Sequence, residues 1–173
     1  MRLALATLAA ITFTAPVPAR VVAADAHGMV IEHSTNVAAP HAATWGVLVK
    51  IGQWWSKDHT YSGDAANLSL DPRPGGCFCE RFPEGGGIEH MRVSMVQPGD
   101  RIIMTGALGP LLYEGVSGVL DIEVKTAGAG SKLTLRYKAS GFAAGNGAEL
   151  APVVDKVLGQ QVQLLARKAA GPR

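Results

Sequence analysis

The C-terminal stretch LAPVVDKVLGQQVQLL, residues 150–165, has the apolar spacing of a helix that packs on another element. Its apolar residues recur at three- or four-residue intervals, which places them on one helical face. Pro152 suits a first turn, where the backbone N–H has no helical partner to lose. These apolar residues are Leu150, Val154, Val157, Leu158, Val162 and Leu165. The chain is therefore predicted to end in a long amphipathic helix.

The chain before this helix consists mainly of segments with strand-like alternation, separated by turns rich in Gly and Pro. The strand segments are 29–37, 67–71, 77–82, 88–96, 101–108, 114–124 and 132–142. Short helices are predicted at 41–50 and around Trp54 and Trp55. Sequential strands form an antiparallel meander whose apolar face needs a cover, and only the final helix is long enough to provide one. The predicted fold is α+β, a curved antiparallel sheet of about seven strands wrapped on the C-terminal helix.

A space between the sheet and the helix is where a small molecule would bind. Strand alternation and helical spacing select the side chains that point into this space. The predicted lining residues are Trp55, Phe78, Glu80, Met91, Val93, Met104, Leu120, Tyr137, Val154 and Leu158. Nearly all of them are apolar or aromatic, so we expect an apolar or aromatic ligand.

Glu80 is the sharpest candidate for chemistry, because alternation places its carboxylate inward between Phe78 and Phe82. An apolar surrounding raises a carboxyl pKa, so Glu80 could act as a general acid or anchor the polar end of a ligand. The simpler interpretation is that it pairs with an arginine or a backbone donor at the rim of the pocket. Both interpretations remain open at this point.

His59 and Tyr61 lie in a polar loop after Trp54 and Trp55, and they are candidates to assist Glu80. A loop histidine also commonly only fixes its own loop. His90 shares an alternation face with Arg92, so we expect it on the outer face of the sheet. Neighbouring residues of a turn cannot face the same way, so one tryptophan of the pair is predicted in the core and the other at the cavity.

Cys77 and Cys79 are the only cysteines, and both lie in one predicted strand. Residues two apart in a strand are about 6.5 Å apart, which disfavours a bridge, so free thiols are favoured over a strained disulfide. The Cys-x-Cys spacing is not that of common zinc knuckles, and no metal is predicted. The chain has no P-loop and no Gly-x-Ser-x-Gly elbow, and no cofactor is predicted.

Residues 1–26 have the pattern of an export signal. Arg2 precedes an apolar run from Leu3 to Thr14, and small residues that allow cleavage after Ala24 or Ala26 follow. The run is shorter than the roughly 20 residues that span a bilayer, although an uncleaved anchor is an alternative. We expect a cleaved signal peptide, a periplasmic or secreted location, and no stable membrane span in the mature chain.

Residues 27–173 have the length of one domain. The full chain has a formal net charge of +2, and its basic residues are scattered. No basic stripe of the kind that binds phosphate backbones is present in the sequence, so no nucleic-acid partner is expected.

Several motifs together resemble the START/Bet v 1-like (SRPBCC) superfamily, in particular its bacterial branch described as polyketide cyclase-like or activator-of-Hsp90-ATPase-like. The motifs are Trp45, Trp54-Trp55, His59, Ser62-Gly63, Pro74-Gly75-Gly76, Phe78, Glu80, Pro98-Gly99 and the stretches 106–111 and 154–161. The resemblance covers nearly all of residues 27–173 and implies a helix-grip fold. Members of the superfamily bind lipids, sterols, polyketides and aromatic compounds, and a minority cyclise or dehydrate them.

The leading expectation is an exported protein that holds a small apolar, lipid-like or aromatic molecule between the sheet and the C-terminal helix. The alternative is a cyclase-, dehydratase- or hydrolase-like enzyme that uses Glu80 with His59 or Tyr61. A third interpretation, an interaction protein with a solid core, is the least favoured because the outward strand faces are mostly polar.

Overall fold

The computed structural model describes residues 20–172, which form an α+β fold of strands and two α-helices. The strands are β1 (Val21–Ala24), β2 (Gly28–Val37), β3 (Leu68–Leu70), β4 (Cys77–Arg81), β5 (Gly87–Gln97), β6 (Arg101–Gly106), β7 (Ser117–Ala127) and β8 (Gly130–Ser140). The helices are α1 (His41–Leu48) and α2 (Gly147–Ala170), and short 3₁₀ turns occupy Ile51–Gln53, Lys57–His59, Ala65–Asn67 and Gly109–Leu112. The element order predicted from the sequence is confirmed, with boundaries that differ by a few residues.

The strands make one antiparallel, eight-stranded curved sheet in the order β1-β2-β8-β7-β6-β5-β4-β3. From β3 to β8 each strand pairs with its neighbour in sequence, as the predicted meander requires. β2 leaves this order, because it pairs along its length with β8, from Gly28 opposite Ser140 to Val37 opposite Ser131. The sheet therefore has eight strands where the sequence predicted about seven, and the additional strand is β1.

β1 pairs antiparallel with β2 at the edge of the sheet, and its β-branched Val21 and Val22 suit a strand. The residues after it connect the edge strand to the rest of the domain. The Asp25 carboxylate accepts a hydrogen bond from the Gly28 N–H at 2.8 Å, and the Ala26 carbonyl accepts one from the Gly147 N–H at 3.1 Å. β1 thus lies within the predicted signal peptide, of which residues 1–19 are outside the described part. The cleavage position stays a prediction.

α2 lies against the sheet through the apolar face predicted from its sequence. Ala151, Leu158, Val162 and Leu165 are buried on this face. Gly159 permits a close approach to β2, because a Cβ there would come within 2.8 Å of the His33 imidazole.

A contact between polar side chains joins the same two elements. His33 Nε2 on β2 lies 2.9 Å from Asp155 Oδ1 on α2, and both side chains are buried. Together with the apolar face, this contact fixes the position of the helix on the sheet.

Large side chains fill most of the interior between the sheet and α2. Tyr137 is fully buried, and its ring lies so close to Gly118 that a Cβ at that position would meet the hydroxyl at 2.6 Å. The other large, fully buried side chains include Phe78, Met91, Met104, Leu120, Ile122, Leu133 and Phe142. The interior is therefore a packed core over most of its length.

Across residues 20–172, none of the helices combines the length and the apolar composition that a membrane crossing requires. α2 alternates buried apolar residues with exposed polar ones along its length. It is accordingly a helix that packs on one side and meets solvent on the other.

Candidate functional site

A cavity of about 360 Å³ opens between the first half of α2, the loop after α1, the loop after β6, and strands β4 and β5. Apolar and aromatic side chains predominate in its wall. The lining residues are Trp55, Asp58, His59, Thr60, Tyr61, Phe78, His90, Leu108, Gly109, Pro110, Leu111, Leu150, Val153, Val154, Val157 and Leu158. This size and composition are typical of sites for small, largely apolar molecules.

The two adjacent tryptophans divide as the sequence predicted. Trp54 is buried in the core, where its indole N–H donates to the Leu48 carbonyl at 3.0 Å. Trp55 lines the cavity, and its ring lies 5.3 Å from that of Phe78 in an edge-on arrangement. Its indole N–H donates to the His59 carbonyl at 3.0 Å, so the ring and the loop hold each other in place.

Two glutamines of α2 attach the loop after α1 to the helix. The side-chain oxygen of Gln161 accepts a hydrogen bond from the Ser56 N–H at 2.9 Å. The side-chain oxygen of Gln160 lies 3.2 Å from His59 Nε2. The cavity wall formed by this loop is therefore fixed at its start, before the chain reaches Tyr61.

Glu80 points inward from β4 as predicted, and it is only 1% exposed. Its carboxylate accepts hydrogen bonds from the backbone N–H groups of Tyr61 and Ser62 and faces His90 Nε2 at 3.0 Å. It thus pairs with backbone donors and an imidazole, as the simpler interpretation proposed, although not with an arginine.

The expectation of a raised pKa at Glu80 is wrong. Burial by itself would raise the pKa of this carboxyl, but the hydrogen bonds from Ser62, Tyr61 and His90 outweigh burial and lower the pKa below its ordinary value. Glu80 is consequently an ionised hydrogen-bond acceptor near neutral pH. A carboxylate in that state holds a structure in place and does not donate a proton.

The prediction that His90 lies on the outer face of the sheet is wrong. Phe78 pairs with Met91 whereas Cys79 pairs with Glu89, so His90 is the extra residue of a β-bulge. A bulge breaks the two-residue alternation of side chains. As a result His90 and Met91 are both buried, and His90 lines the cavity.

His90 is the buried polar side chain of the cavity wall, with aromatic rings around it. Its ring centroid lies 4.9 Å from that of Phe78 and 5.9 Å from that of Tyr61, which stacks on it. Burial lowers the pKa of His90 below its ordinary value, although the hydrogen bond and the charge of Glu80 act in the opposite direction. The imidazole is therefore neutral near pH 7.

The structure does not pair His59 with Glu80. His59 lies on the loop with its imidazole directed to Gln160 of α2, while the Glu80 carboxylate contacts the Tyr61 and Ser62 backbone and His90. Tyr61 does approach the pair, because its ring covers His90. Burial, together with contacts to Tyr113 and the charge of Glu80, raises the pKa of Tyr61 to about 12, so its hydroxyl stays protonated.

The predicted lining residues fall into two groups. Trp55, Phe78, Val154 and Leu158 line the cavity, and Glu80 lies behind its wall. The remaining ones, Met91, Val93, Met104, Leu120 and Tyr137, are fully buried core residues outside the cavity lining. They do point inward, but they are packed among the other buried apolar side chains of the core.

Sequence reasoning missed the loop after β6 as a wall of the cavity. Leu108, Pro110 and Leu111 lie on this loop and line the space opposite α2. The Gly109-Pro110 dipeptide interrupts strand alternation and predicts a turn. The apolar residues on both sides of it are the signal that indicates a loop folded back onto the core. At the rim, Tyr113 and Val153 are 76% and 60% exposed.

The structure joins Cys77 and Cys79 in a disulfide, against the prediction of free thiols. Their Cα atoms are 5.4 Å apart, closer than in a fully extended strand, at the point where the register of the β4–β5 pairing shifts.

The two sulfurs also lie within 4.8 Å of a Glu89 carboxylate oxygen. In the described part of the chain the sulfurs are bonded to each other, and Glu89 pairs with Arg92. This group therefore offers no thiolate ligands as it stands, and the expectation of no metal stays a prediction.

No family model matches the chain, and no curated protein matches its sequence. Solved structures do share its fold. A protein from Nitrosomonas europaea is 17% identical with a TM-score of 0.55, over 90% of this chain and 97% of that one. Truncated norcoclaurine synthase from Thalictrum flavum is 16% identical with a TM-score of 0.59, over 84% of this chain and 96% of that one.

A third similar structure is the di-domain ARO/CYC StfQ from the steffimycin biosynthetic pathway. It is 16% identical with a TM-score of 0.54, and the match covers 84% of this chain and 51% of StfQ. At such low identity these similarities establish the fold alone. They agree with the helix-grip architecture seen here, an antiparallel sheet wrapped on a long C-terminal helix.

Proposed function

We propose that this chain, which has the helix-grip fold of the START/Bet v 1-like superfamily, is an exported protein that binds one small apolar or aromatic molecule. The observation that carries the proposal is the cavity of about 360 Å³ between α2 and the sheet, with its predominantly apolar wall. Removing apolar ligand surface from water contributes about 25 cal/mol per Å². The flat rings of Trp55 and Phe78 in that wall suit an aromatic ligand.

Blocking the cavity tests this proposal. Val157 lines the cavity from α2 and is partly buried, so Val157→Trp places an indole in the space that the ligand would occupy. Gln163→Trp puts the same side chain on the exposed side of the same helix and serves as the matched control. Both variants are incubated with a panel of fatty acids, sterols and polycyclic aromatic compounds and examined by native mass spectrometry.

We expect at least one panel compound to bind the unaltered protein and Gln163→Trp with one-to-one stoichiometry. Its affinity for Val157→Trp should fall by about tenfold or more, while thermal unfolding shows that this variant is folded. Equal binding by all three proteins would place the ligand elsewhere. No uptake of any compound by the unaltered protein would contradict the proposed function.

Export is the second part of the proposal, and β1 bears on where a leader would be cut. Cleavage after Ala24 or Ala26 would remove the strand that pairs with β2, and cleavage after Ala26 would also remove the carbonyl that contacts Gly147. Cleavage before Arg20 keeps both β1 and the contact between Ala26 and Gly147. The small-residue pattern Val17-Pro18-Ala19 precedes that position.

The intact mass of the protein recovered from the periplasm tests this part of the proposal. We expect a chain that starts at Arg20. A mass that starts at Asp25 or His27 would contradict the retention of β1, and a full-length mass would indicate an uncleaved anchor.

Cyclase-type catalysis is a second candidate function, and the observation that favours it is the buried His90 imidazole beside Glu80 in the cavity wall. The norcoclaurine synthase and ARO/CYC folds are compatible with it. The low pKa of Glu80 excludes this residue as the proton donor near neutral pH, so His90 or Tyr61 would have to move the proton. If panel compounds show an altered mass after incubation, and the His90→Phe variant does not alter them, the protein is an enzyme and not a simple binding protein.

A further inference from the structure

The wall of the cavity presents one hydrogen-bonding nitrogen from a buried side chain. His90 Nε2 faces Glu80 Oε2 at 3.0 Å. Within residues 20–172, no protein group hydrogen-bonds the second ring nitrogen, Nδ1. The side chain is 4% exposed and lines the cavity, so a bound molecule is the natural partner for Nδ1.

Glu80 determines which of the two nitrogens carries the proton. Its carboxylate is surrounded by donors, the N–H groups of Tyr61 and Ser62 and the His90 imidazole. An ionised carboxylate can only accept hydrogen bonds, so Nε2 must hold the ring proton. In a neutral imidazole the other nitrogen then carries a lone pair, and Nδ1 is an acceptor.

Aromatic rings fix the direction of this acceptor. Tyr61 stacks on one side of the imidazole, and Phe78 lies 4.9 Å away. Phe78 has no donor, and within residues 20–172 the Tyr61 hydroxyl makes no hydrogen bond to the imidazole. A ligand that displaces water from Nδ1 without supplying a donor leaves this acceptor unpaired, so a ligand that does supply a donor gains over one that does not.

We infer that the ligand is a planar aromatic molecule with a hydroxyl group, and that this hydroxyl donates a hydrogen bond to His90 Nδ1. Glu80 is the positioning residue that orients His90 and sets its tautomer. The inference rests on the proposed function and names the chemistry that the same cavity selects. A site built around such an acceptor discriminates strongly against the analogue that lacks the hydroxyl proton.

A pair of probes tests the inference without any variant. 2-Naphthol and 2-methoxynaphthalene have the same ring system, but only the first can donate a hydrogen bond. Isothermal titration calorimetry of the unaltered protein should give about tenfold tighter binding of 2-naphthol, the ratio that corresponds to one buried hydrogen bond.

His90→Phe then locates the acceptor, because it keeps a flat ring and removes both nitrogens, while Glu80 retains its two backbone donors. This variant should bind both probes with similar affinity, and thermal unfolding shows that it is folded. His90→Asn, whose amide can occupy the position of Nδ1, should recover part of the preference. Glu80→Gln should lower the ratio of the two affinities, whereas a purely structural role would weaken the binding of both probes by the same factor.

The outcomes separate the two proposals. Equal binding of both probes by the unaltered protein overturns this inference and leaves the apolar cavity intact. A preference for 2-naphthol that persists in His90→Phe also overturns it, because the acceptor must then be another group. If neither probe binds, and the compound panel does not bind either, the proposed function fails and this inference fails with it.

Discussion

Two buried histidine–carboxylate pairs in this protein have nearly the same nitrogen–oxygen distance and different surroundings. His33 Nε2 lies 2.9 Å from Asp155 Oδ1 between β2 and α2, and His90 Nε2 lies 3.0 Å from Glu80 Oε2 between β5 and β4. Core packing encloses the first pair, with Gly159 directly against the His33 ring. The second pair lies in the wall of a cavity. The comparison shows that a short distance between such groups does not reveal a function, whereas the space around them does.

The surroundings assign a different task to each pair. His33 Nε2 also lies 3.1 Å from the Asp155 backbone carbonyl, so all its polar contacts are to one turn of α2. Glu80 instead gathers donors from a loop and from a neighbouring strand. We therefore expect the first pair to govern the stability of the helix on the sheet, and the second to govern the cavity wall and what binds there.

The largest effect is expected from His33→Ala. Removing one partner of a buried pair leaves the Asp155 carboxylate without its counterpart, which costs about 3 kcal/mol in the free energy of unfolding. Urea denaturation measures this loss. The preference for 2-naphthol over 2-methoxynaphthalene should not change, since His33 is outside the cavity lining.

Glu32→Ala is the matched control on the same strand, because it breaks the exposed pair with Arg136. We expect it to cost less than about 1 kcal/mol. If His33→Ala were as mild as this control, the structural role assigned to the His33–Asp155 pair would be wrong.

Glu80→Gln should cost less stability, about 2 kcal/mol, because the amide keeps the shape but turns a donor towards other donors. The affected region should be local. Hydrogen exchange at the Tyr61 and Ser62 amides, which now donate to Glu80, is expected to accelerate more than exchange in α2. Uniform acceleration across the sheet and helix would show that Glu80 supports the whole core and not the loop.

Acidification should remove the contribution of the Glu80–His90 pair to the free energy of unfolding in two steps. The pKa of His90 is lowered from 6.5 by burial, so its contribution to stability is present above that pH and is lost as the pH falls through the lower folded value. The pKa of Glu80 is lowered from 4.5 by its hydrogen bonds despite burial, so its contribution is lost at more acidic pH.

Urea denaturation checks the sign of both contributions. The buffers run from about pH 7 to about pH 3, so that they bracket the ordinary pKa values of His and Glu. The stability difference between the unaltered protein and His90→Phe should shrink below pH 6.5, and the difference from Glu80→Gln should shrink below 4.5. Differences that grow with acid would contradict the assigned protonation states.

Reduction of the Cys77–Cys79 disulfide is expected to have a smaller effect than His33→Ala or Glu80→Gln. The bridge closes a loop of minimal length, so loop-closure entropy accounts for only about 1–2 kcal/mol. Neither histidine pair is bonded to it, and the preference for 2-naphthol should survive treatment with a reductant. Mass analysis after alkylation verifies that both thiols were released.

The fold was predictable from the sequence because its signals are periodic and local. The helical spacing from Leu150 to Leu165 and the strand alternation upstream of it specify a helix that covers a meander, and the structure confirms both. β1 was missed because Val21–Ala24 lies within the part of the chain that resembles a leader. Local pattern alone does not distinguish a strand from the end of a signal sequence.

The site was only partly predictable, and the reason is the bulge in β5. Alternation assigned Glu80 and Phe78 correctly to the inside, but it assigned His90 to the outside, since the bulge buries the neighbouring residues His90 and Met91 together. Alternation also gave no information on how much of the interior is filled. Met104, Leu120 and Tyr137 point inward as predicted, but they are fully buried in the core.

The most direct test of the difference between the two pairs is nitrogen NMR of the histidine side chains during a titration with 2-naphthol. Long-range ¹⁵N–¹H spectra resolve the ring nitrogens of His90 and His33, with His90→Phe and His33→Ala for assignment. We predict that the Nδ1 resonance of His90 shifts in proportion to occupancy and that the resonances of His33 stay in place. Movement of the His33 signals alone, or saturable binding with no change at His90, would contradict the assignment of the cavity-facing pair to ligand recognition.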